Sequence, residues 1–292
     1  MPEINHGRTA IDTLEMGKFT PGGRFNPTFF EEKFVENERR LIALGAQPLG
    51  QFIPEELPDG SKGITYGQVG ARELSPRGSV RYLQVINIRD TGIDFAIKPD
   101  RVAEHSHNDP ERSRVRARDI LFTNNAFRGT DTLLGRCVVV PHDYGKLNIS
   151  QHIDRIRIDG INPFYVCCFL KSSYGSLQVR RQLLGVDSSG ISFGRIRDIC
   201  IPELPKVIQD DVERQYLEMA AGHDRAMAVK DRLLEEAGID PGQYGEKINK
   251  LAEESSTYRQ NRDEAKTRLQ HLLTELVAVI EGRQKKLKDF PS

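Results

Sequence analysis

Tryptophan is absent from the 292 residues, cysteine occurs only four times, and neither sign of charge is in excess, with 42 Lys plus Arg against 42 Asp plus Glu. Each scarcity removes a class of protein. Cys137, Cys167, Cys168 and Cys200 stand in apolar, strand-like surroundings and not in C-x-x-C pairs, so they read as buried thiols and not as a zinc site or redox couple. A formal charge of zero leaves no whole-molecule field to draw in a polyanion, so any nucleic-acid surface has to be local. No stretch approaches the roughly 20 apolar residues that span a bilayer, and Met1 to Ala10 lack the apolar core of a signal peptide; a cytoplasmic protein is expected. P-loop, Gly-x-Ser-x-Gly and cofactor-binding Gly-x-Gly signatures are also missing. Asn162-Pro163-Phe164-Tyr165 lacks the second proline of the motif with which adenine methyltransferases grip a flipped base. No cofactor, no metal and no catalysis are therefore expected.

What is present is enough apolar material for a substantial core, 38% hydrophobic with 13 Phe and 8 Tyr, in three textures. Residues 1–48 carry Pro and Gly punctuation around a helix expected from Thr28 to Leu44, with Phe30, Phe34, Leu41 and Leu44 on one face, and Leu49 to Ile53 then read as a short strand. Residues 49–205 are short apolar runs separated by Gly, Asn, Asp and Pro. Expected strands are Tyr82 to Ile88, Ile120 to Thr123, Arg136 to Val140 and Ile153 to Ile158, and a helix is expected between Asn162 and Leu184. Residues 206–292 are dominated by Glu, Lys, Arg, Ala and Leu, and predict one helix from Val207 to Ala237, a turn at Gly238 to Gly242, and a second from Glu246 to Lys286. The fold class is α+β: a mixed module followed by a long antiparallel helical hairpin.

In the second helix Ile248, Leu251, Ser255, Tyr258, Arg262, Ala265, Leu269, Leu272, Leu276 and Val279 alternate steps of three and four, a coiled-coil spacing. The first helix carries a poorer seam through Val212, Tyr216, Met219, His223, Ala226, Lys230 and Leu233, where His223 and Lys230 are polar interruptions of the kind that fix register and partner. Helices of this length extend roughly 45 to 60 Å, so a projecting arm is expected, with Leu251, Tyr258, Leu269, Leu272 and Leu276 meeting a partner or a second copy. Glutamate at Leu269 and Leu276 would then break association and spare the module.

A succession of phrases runs Gly63 to Gly67, Val80 to Ile88, Arg118 to Thr123, Leu134 to Val140, Asn148 to Ile153, Pro163 to Ser172, Gly190 to Phe193, and Ile199-Cys200-Ile201-Pro202-Glu203-Leu204-Pro205. In order and spacing it resembles the target recognition domain of type I restriction-modification specificity subunits, over about Leu49 to Ala237. The resemblance implies a DNA-reading α/β domain with a helical spacer, working with a separate methyltransferase subunit and a restriction subunit. Full-length specificity subunits carry two recognition domains and two spacers; this chain is similar to one half. That implies a homodimer or a second specificity half, or else a single-domain arrangement beside a methyltransferase; a two-fold dimer would read a split palindrome.

Residues 101–201 hold more basic than acidic side chains, which supplies local attraction for phosphates. Arg112, Arg114, Arg116 and Arg118 alternate, so an extended chain would put them on one face as a backbone track. Asn124, Asn125, Arg128 and Thr130 form a polar loop after a strand, with the amides and guanidinium that bind adenine and guanine edges. Lys146, Gln151, Lys171, Arg180 and Arg181 are further candidates for phosphate or base contact. Each is equally explained by a polar loop in water. Two other readings compete: a coiled-coil adaptor whose globular part binds protein, and a metal-dependent nuclease built on Asp94, Asp119 and Asp131, for which no Glu-x-Lys phrase completes the set. His105 and His107 alone are weak as a metal pair.

Overall fold

The β-branched and aromatic runs of the middle segment pair into sheets, and the Glu/Lys/Leu-rich end folds back along them. The computed structural model describes residues 30–68, 74, 78–124, 134–183, 190–238 and 246–291. In chain order come helix α1 (Glu32–Ala43), β1 (Gln47–Pro48), β2 (Ile64–Tyr66), β3 (Val80–Leu83), β4 (Arg101–Val102), β5 (Ile120–Thr123), β6 (Cys137–Val139), β7 (Leu147–Ile149) and β8 (Ile153–Ile156). Then follow α2 (Pro163–Lys171), α3 (Ser173–Leu183), α4 (Phe193–Arg197), β9 (Cys200–Ile201), α5 (Lys206–Ala237), α6 (Glu246–Glu254) and α7 (Ser256–Ile280). The chain is α+β.

A four-stranded antiparallel sheet in the order β2-β8-β5-β6 forms the middle layer. Strands β5, β6 and β8 are buried on both faces, and side-chain alternation sorts them. Ile120, Phe122, Cys137, Val139 and Ile156 face the helices, while Leu121, Val138 and Ile153 face a second sheet, β4-β3-β7, through Leu83, Leu147 and Ile149. The helical face is filled by α2, whose residues from Pro163 to Leu170 are all buried, as befits a helix that is apolar all round. Asn162 caps α2 by accepting from the Phe164 N–H at 2.9 Å, and Pro163 occupies the first turn, where its missing donor costs nothing.

Several sequence expectations shift for local chemical reasons. Leu49 to Phe52 is a 3-10 turn and not a strand, held where Arg197 donates to the Ile53 carbonyl at 2.6 Å. The strand expected through Ile88 stops at Leu83, because the Asn87 side chain accepts from the Gln84 N–H at 2.8 Å and closes a turn. The helix expected over Asn162 to Leu184 breaks at Ser172, whose hydroxyl donates to the Phe169 carbonyl at 2.6 Å. The second long helix breaks at Ser255, whose hydroxyl caps α7 by accepting from the Tyr258 N–H at 3.3 Å, so α6 and α7 are separate. Three cysteines are buried as expected; Cys200 is partly exposed. Gly238 ends α5 in the left-handed conformation, φ 58°, that a side chain would disfavour.

The expected projecting arm is the largest correction. α5 and α7 do pack together as a hairpin, but Val212, Tyr216, Met219, Leu269, Leu272, Leu276 and Ile280 share one continuous core with α2 and the sheet. Leu251 and Tyr258 are likewise occupied within the chain, the first against Ala96, Leu234 and Ile248, the second against Ala226 and Ala252. The seam is therefore spent on the module itself, because burying it there satisfies both surfaces at once. A partner would have to meet other faces of these helices.

The seam's polar members explain the register. The Tyr216 hydroxyl accepts from the Val139 N–H at 3.0 Å. His223 lies between Thr91 at 2.9 Å and the Ile93 carbonyl at 3.1 Å; since a carbonyl only accepts, Nε2 carries the proton and Nδ1 accepts from the threonine hydroxyl. Lys230, fully buried, reaches Asp94 at 2.7 Å and Asn249 at 2.8 Å. These three positions are two helical turns apart, so one stripe of α5 is bonded to the sheet module along its length. Lys230→Ala is expected to cost about 3–5 kcal/mol by taking the close cation from buried Asp94, which keeps the Ala96 and Ile97 N–H groups and the more distant Arg89, and Leu272→Ala about 2–5 kcal/mol by opening a cavity. Urea unfolding followed by circular dichroism should show both losses in one transition; a separate early transition for the hairpin would contradict the shared core.

Candidate nucleic-acid interface

The leading end of β8 is where separated parts of the chain meet. Asp154 pairs with Tyr66 of β2 and Phe122 of β5, and Ser150 bridges to Gln68. The Asn124 N–H donates to the His152 carbonyl at 3.1 Å, and the Asn124 carbonyl accepts from the Ile191 N–H at 2.9 Å. Three chain segments distant in sequence are thus tied to one sheet end by main-chain bonds.

The side chains there are chemically distinctive. Gln68 lies 2.6 Å from the His107 ring nitrogen and accepts from Arg112 at 3.4 Å. Gln151 lies 3.1 Å from His152. Tyr66, 43% exposed, packs beside Phe193 with ring centroids 5.8 Å apart. Amides, imidazoles and a guanidinium can read base edges, and exposed aromatic rings can pack against sugars or bases. Among these, Arg112 and Gln151 are candidates from sequence. Tyr66, Gln68, His107, His152 and Phe193 carry no such signal in the sequence, because only the cross-strand pairing brings them to one end.

Asn124 has a different task from the one its residue type suggests. Both of its amide hydrogens are used within the chain, one toward Asp154 Oδ1 at 2.5 Å and one toward the Gln151 carbonyl at 3.3 Å. Bidentate recognition of adenine needs a free donor from the same amide, so Asn124 braces the sheet end and leaves only its oxygen to accept. Asn125, Arg128 and Thr130 lie outside the described residues.

The arginine track does not form. Glu111 to Ser113 make a 3-10 turn and Arg118 sits at φ 71°, so the alternation never runs along an extended strand. Arg114 is ion-paired with Asp109 at 2.6 Å, Arg116 with Asp59 at 2.6 Å, and Arg118 with Glu213. Lys146 is held by Glu104, and Arg181 by Glu38 at 2.7 Å. The acidic residues that a nuclease would need are also apart: Asp94 holds Lys230, Asp119 holds Arg157 at 2.8 Å, and Asp131 lies outside the described residues. Among the described residues no three His, Cys, Asp or Glu side chains come together as a metal-ligating group.

Lys171 and Arg180 do converge. They line a groove of about 800 Å³ between α3 and α7, together with Arg136, Lys266 and Arg283. Nothing in the sequence groups the last three with them, because they come from a strand edge, a helix and a turn far apart in the chain.

Asp154 is the most perturbed group at this end. Burial raises its carboxyl to about 8, against the opposing bond from Asn124, and its second oxygen has no partner. The folded chain therefore keeps a proton that the unfolded chain releases at about pH 4. Stability tied to the neutral acid is complete below about pH 4 and is lost as pH rises toward 8. Asp154→Asn should be more stable than the parent at pH 8, by on the order of a few kcal/mol, and the gap should close toward pH 4. Urea titrations at several pH values measure this, and a gap independent of pH would show an ordinary carboxylate.

The chain matches no protein-family model and no curated protein. Solved structures do resemble it at low identity. The S subunit of a type I restriction-modification system from M. genitalium shares 14% identity over 91% of this chain and 54% of that one, TM-score 0.38. The HsdS subunit from Thermoanaerobacter tengcongensis shares 14% over 82% and 51%, TM-score 0.36. A structure described as showing complex assembly and conformational transition of the type I R-M system shares 13% over 88% and 50%, TM-score 0.35. The chain thus spans about half the length of each of these structures.

Proposed function

We propose that this chain reads a DNA sequence and directs a methyltransferase subunit, with a restriction subunit where one is present, to the site it reads, performing no chemistry itself. The observation that carries the reading is the convergence of Gln68, His107, Arg112, Gln151 and His152 at one braced sheet end, beside exposed Tyr66 and half-buried Phe193. A rigid platform bearing hydrogen-bonding groups of both senses suits base edges, whose identity lies in their donor and acceptor pattern. The sequence phrases between Leu49 and Ala237 support the same reading. A second copy, or a second specificity half, would supply the other half-site; the outer faces of α5 and α7 are left for such contacts and for the methyltransferase.

Selection of bound duplexes from a random pool tests the proposal. An enriched sequence is expected, bound at least about a thousandfold tighter than random duplex at physiological salt. Gln151→Ala should lower that discrimination by about 1–3 kcal/mol at one position of the site, whereas binding to random duplex should hardly change. Equal binding of selected and random duplexes would overturn the reading.

A further inference from the structure

The groove between α3 and α7 has a charge composition that the fold does not need. Its lining includes Arg136, Lys171, Arg180, Lys266 and Arg283, and Asp90 is the acidic residue among them. Asp90 answers part of this charge, lying 3.7 Å from Arg136 and accepting from Lys171 through its carbonyl at 2.9 Å. Arg283 is paired with Glu281 on the adjoining turn at 2.5 Å. Arg180 and Lys266, both exposed, have no carboxylate partner within ion-pair distance among the described residues. Two uncompensated cations thus stand on opposite walls of one groove. Elsewhere in the module Arg114, Arg116 and Arg118 are each paired with a carboxylate, while exposed Arg112 reaches the Gln68 side chain.

We infer that this groove seats the phosphodiester backbone of a nucleic acid strand, with Arg180 and Lys266 as its principal phosphate contacts. The inference rests on the DNA-reading proposal and adds a second, sequence-independent surface to it. Position, more than apolar burial, favours phosphate over an acidic protein helix: Leu170, Val179 and Leu269 of the lining are 3%, 5% and 7% exposed, whereas Leu134, Leu273 and Val277 are partly exposed. The groove adjoins the reading end: Arg136 lies in it, and its carbonyl accepts from the N–H of Thr123, the residue before Asn124. A strand crossing the sheet end would therefore find cations next to the base-reading groups. Phosphate contacts fix position while base contacts carry specificity, so the two surfaces have separable signatures.

The test measures duplex affinity against salt for the full chain, with the selected sequence and a random duplex as probes. Every phosphate that a variant no longer neutralises lowers the slope of log K on log salt by about 0.9. The double variant Arg180→Gln, Lys266→Gln should flatten the slope by about 1 to 2 for both probes and leave their affinity ratio unchanged. Lys206→Gln, removing a cation already paired with Asp210, should leave the slope as it is. Both substituted groove residues are exposed, and an unchanged urea midpoint confirms that the variant is folded. If the parent selects a sequence but the double variant keeps its slope, the groove is not a phosphate seat and the reading end stands alone. Binding of a fluorescent glutamate-rich helical peptide that the double variant loses, with the DNA slope intact, would overturn the inference in favour of protein docking. A parent that binds no duplex overturns the DNA reading and the groove with it.

Discussion

The outer strand of the central sheet, β6, would expose its main-chain donors if α5 did not lie against it, and the contact that prevents this is the bond from the Val139 N–H to the Tyr216 hydroxyl. Everything else about the hairpin follows from that placement. With Tyr216 fixed on β6, His223 falls two turns on against Thr91 and Ile93, and Lys230 two turns further against Asp94. A sliding of α5 by one turn would strand a buried imidazole and a buried ammonium together, which makes the register strongly specified. The polar residues that would weaken a free coiled coil are what locate this helix on its own sheet.

That placement also rigidifies the reading end. α2 is clamped between α5 and the four-stranded sheet, so β5 and β8 have packed neighbours on both faces. Their shared end can then hold Asn124, Gln151 and Asp154 in one hydrogen-bonded arrangement and present neighbouring side chains without rearrangement. Asp154 illustrates the cost of such bracing. A carboxyl buried there is tolerated because it stays neutral and accepts from Asn124, and the penalty of its orphaned oxygen is borne by the surrounding core.

Charge in this chain is arranged by pairing more than by composition. The arginines dense in sequence around 112–118 are mostly answered by Asp109, Asp59 and Glu213, carboxylates brought from as far as 95 positions away. Cations scattered in sequence, Arg136, Lys171, Arg180 and Lys266, end up beside one another. Local density in the sequence is thus a poor guide to where uncompensated charge lies, since a salt bridge depends on distance in space and pairs are drawn from the whole fold.

By itself the sequence determined the class of fold, the strand Ile120–Thr123, the start at Ile153 of a strand expected to reach Ile158 that ends at Ile156, the first long helix with its stop at Gly238, and the heptad seam, because periodicity and cap chemistry act over a few residues. It also marked Arg112, Gln151, Lys171 and Arg180 among its candidates. Only the tertiary structure decided that the seam closes on the module and does not form an arm, that Asn124 is a brace, and that Tyr66, Gln68, His107, His152 and Phe193 share one end. The physical reason is common to all three. A side chain's periodic face says that it is buried, or its residue type that it can bond, but which partner it meets is settled by packing between segments that local sequence cannot bring together.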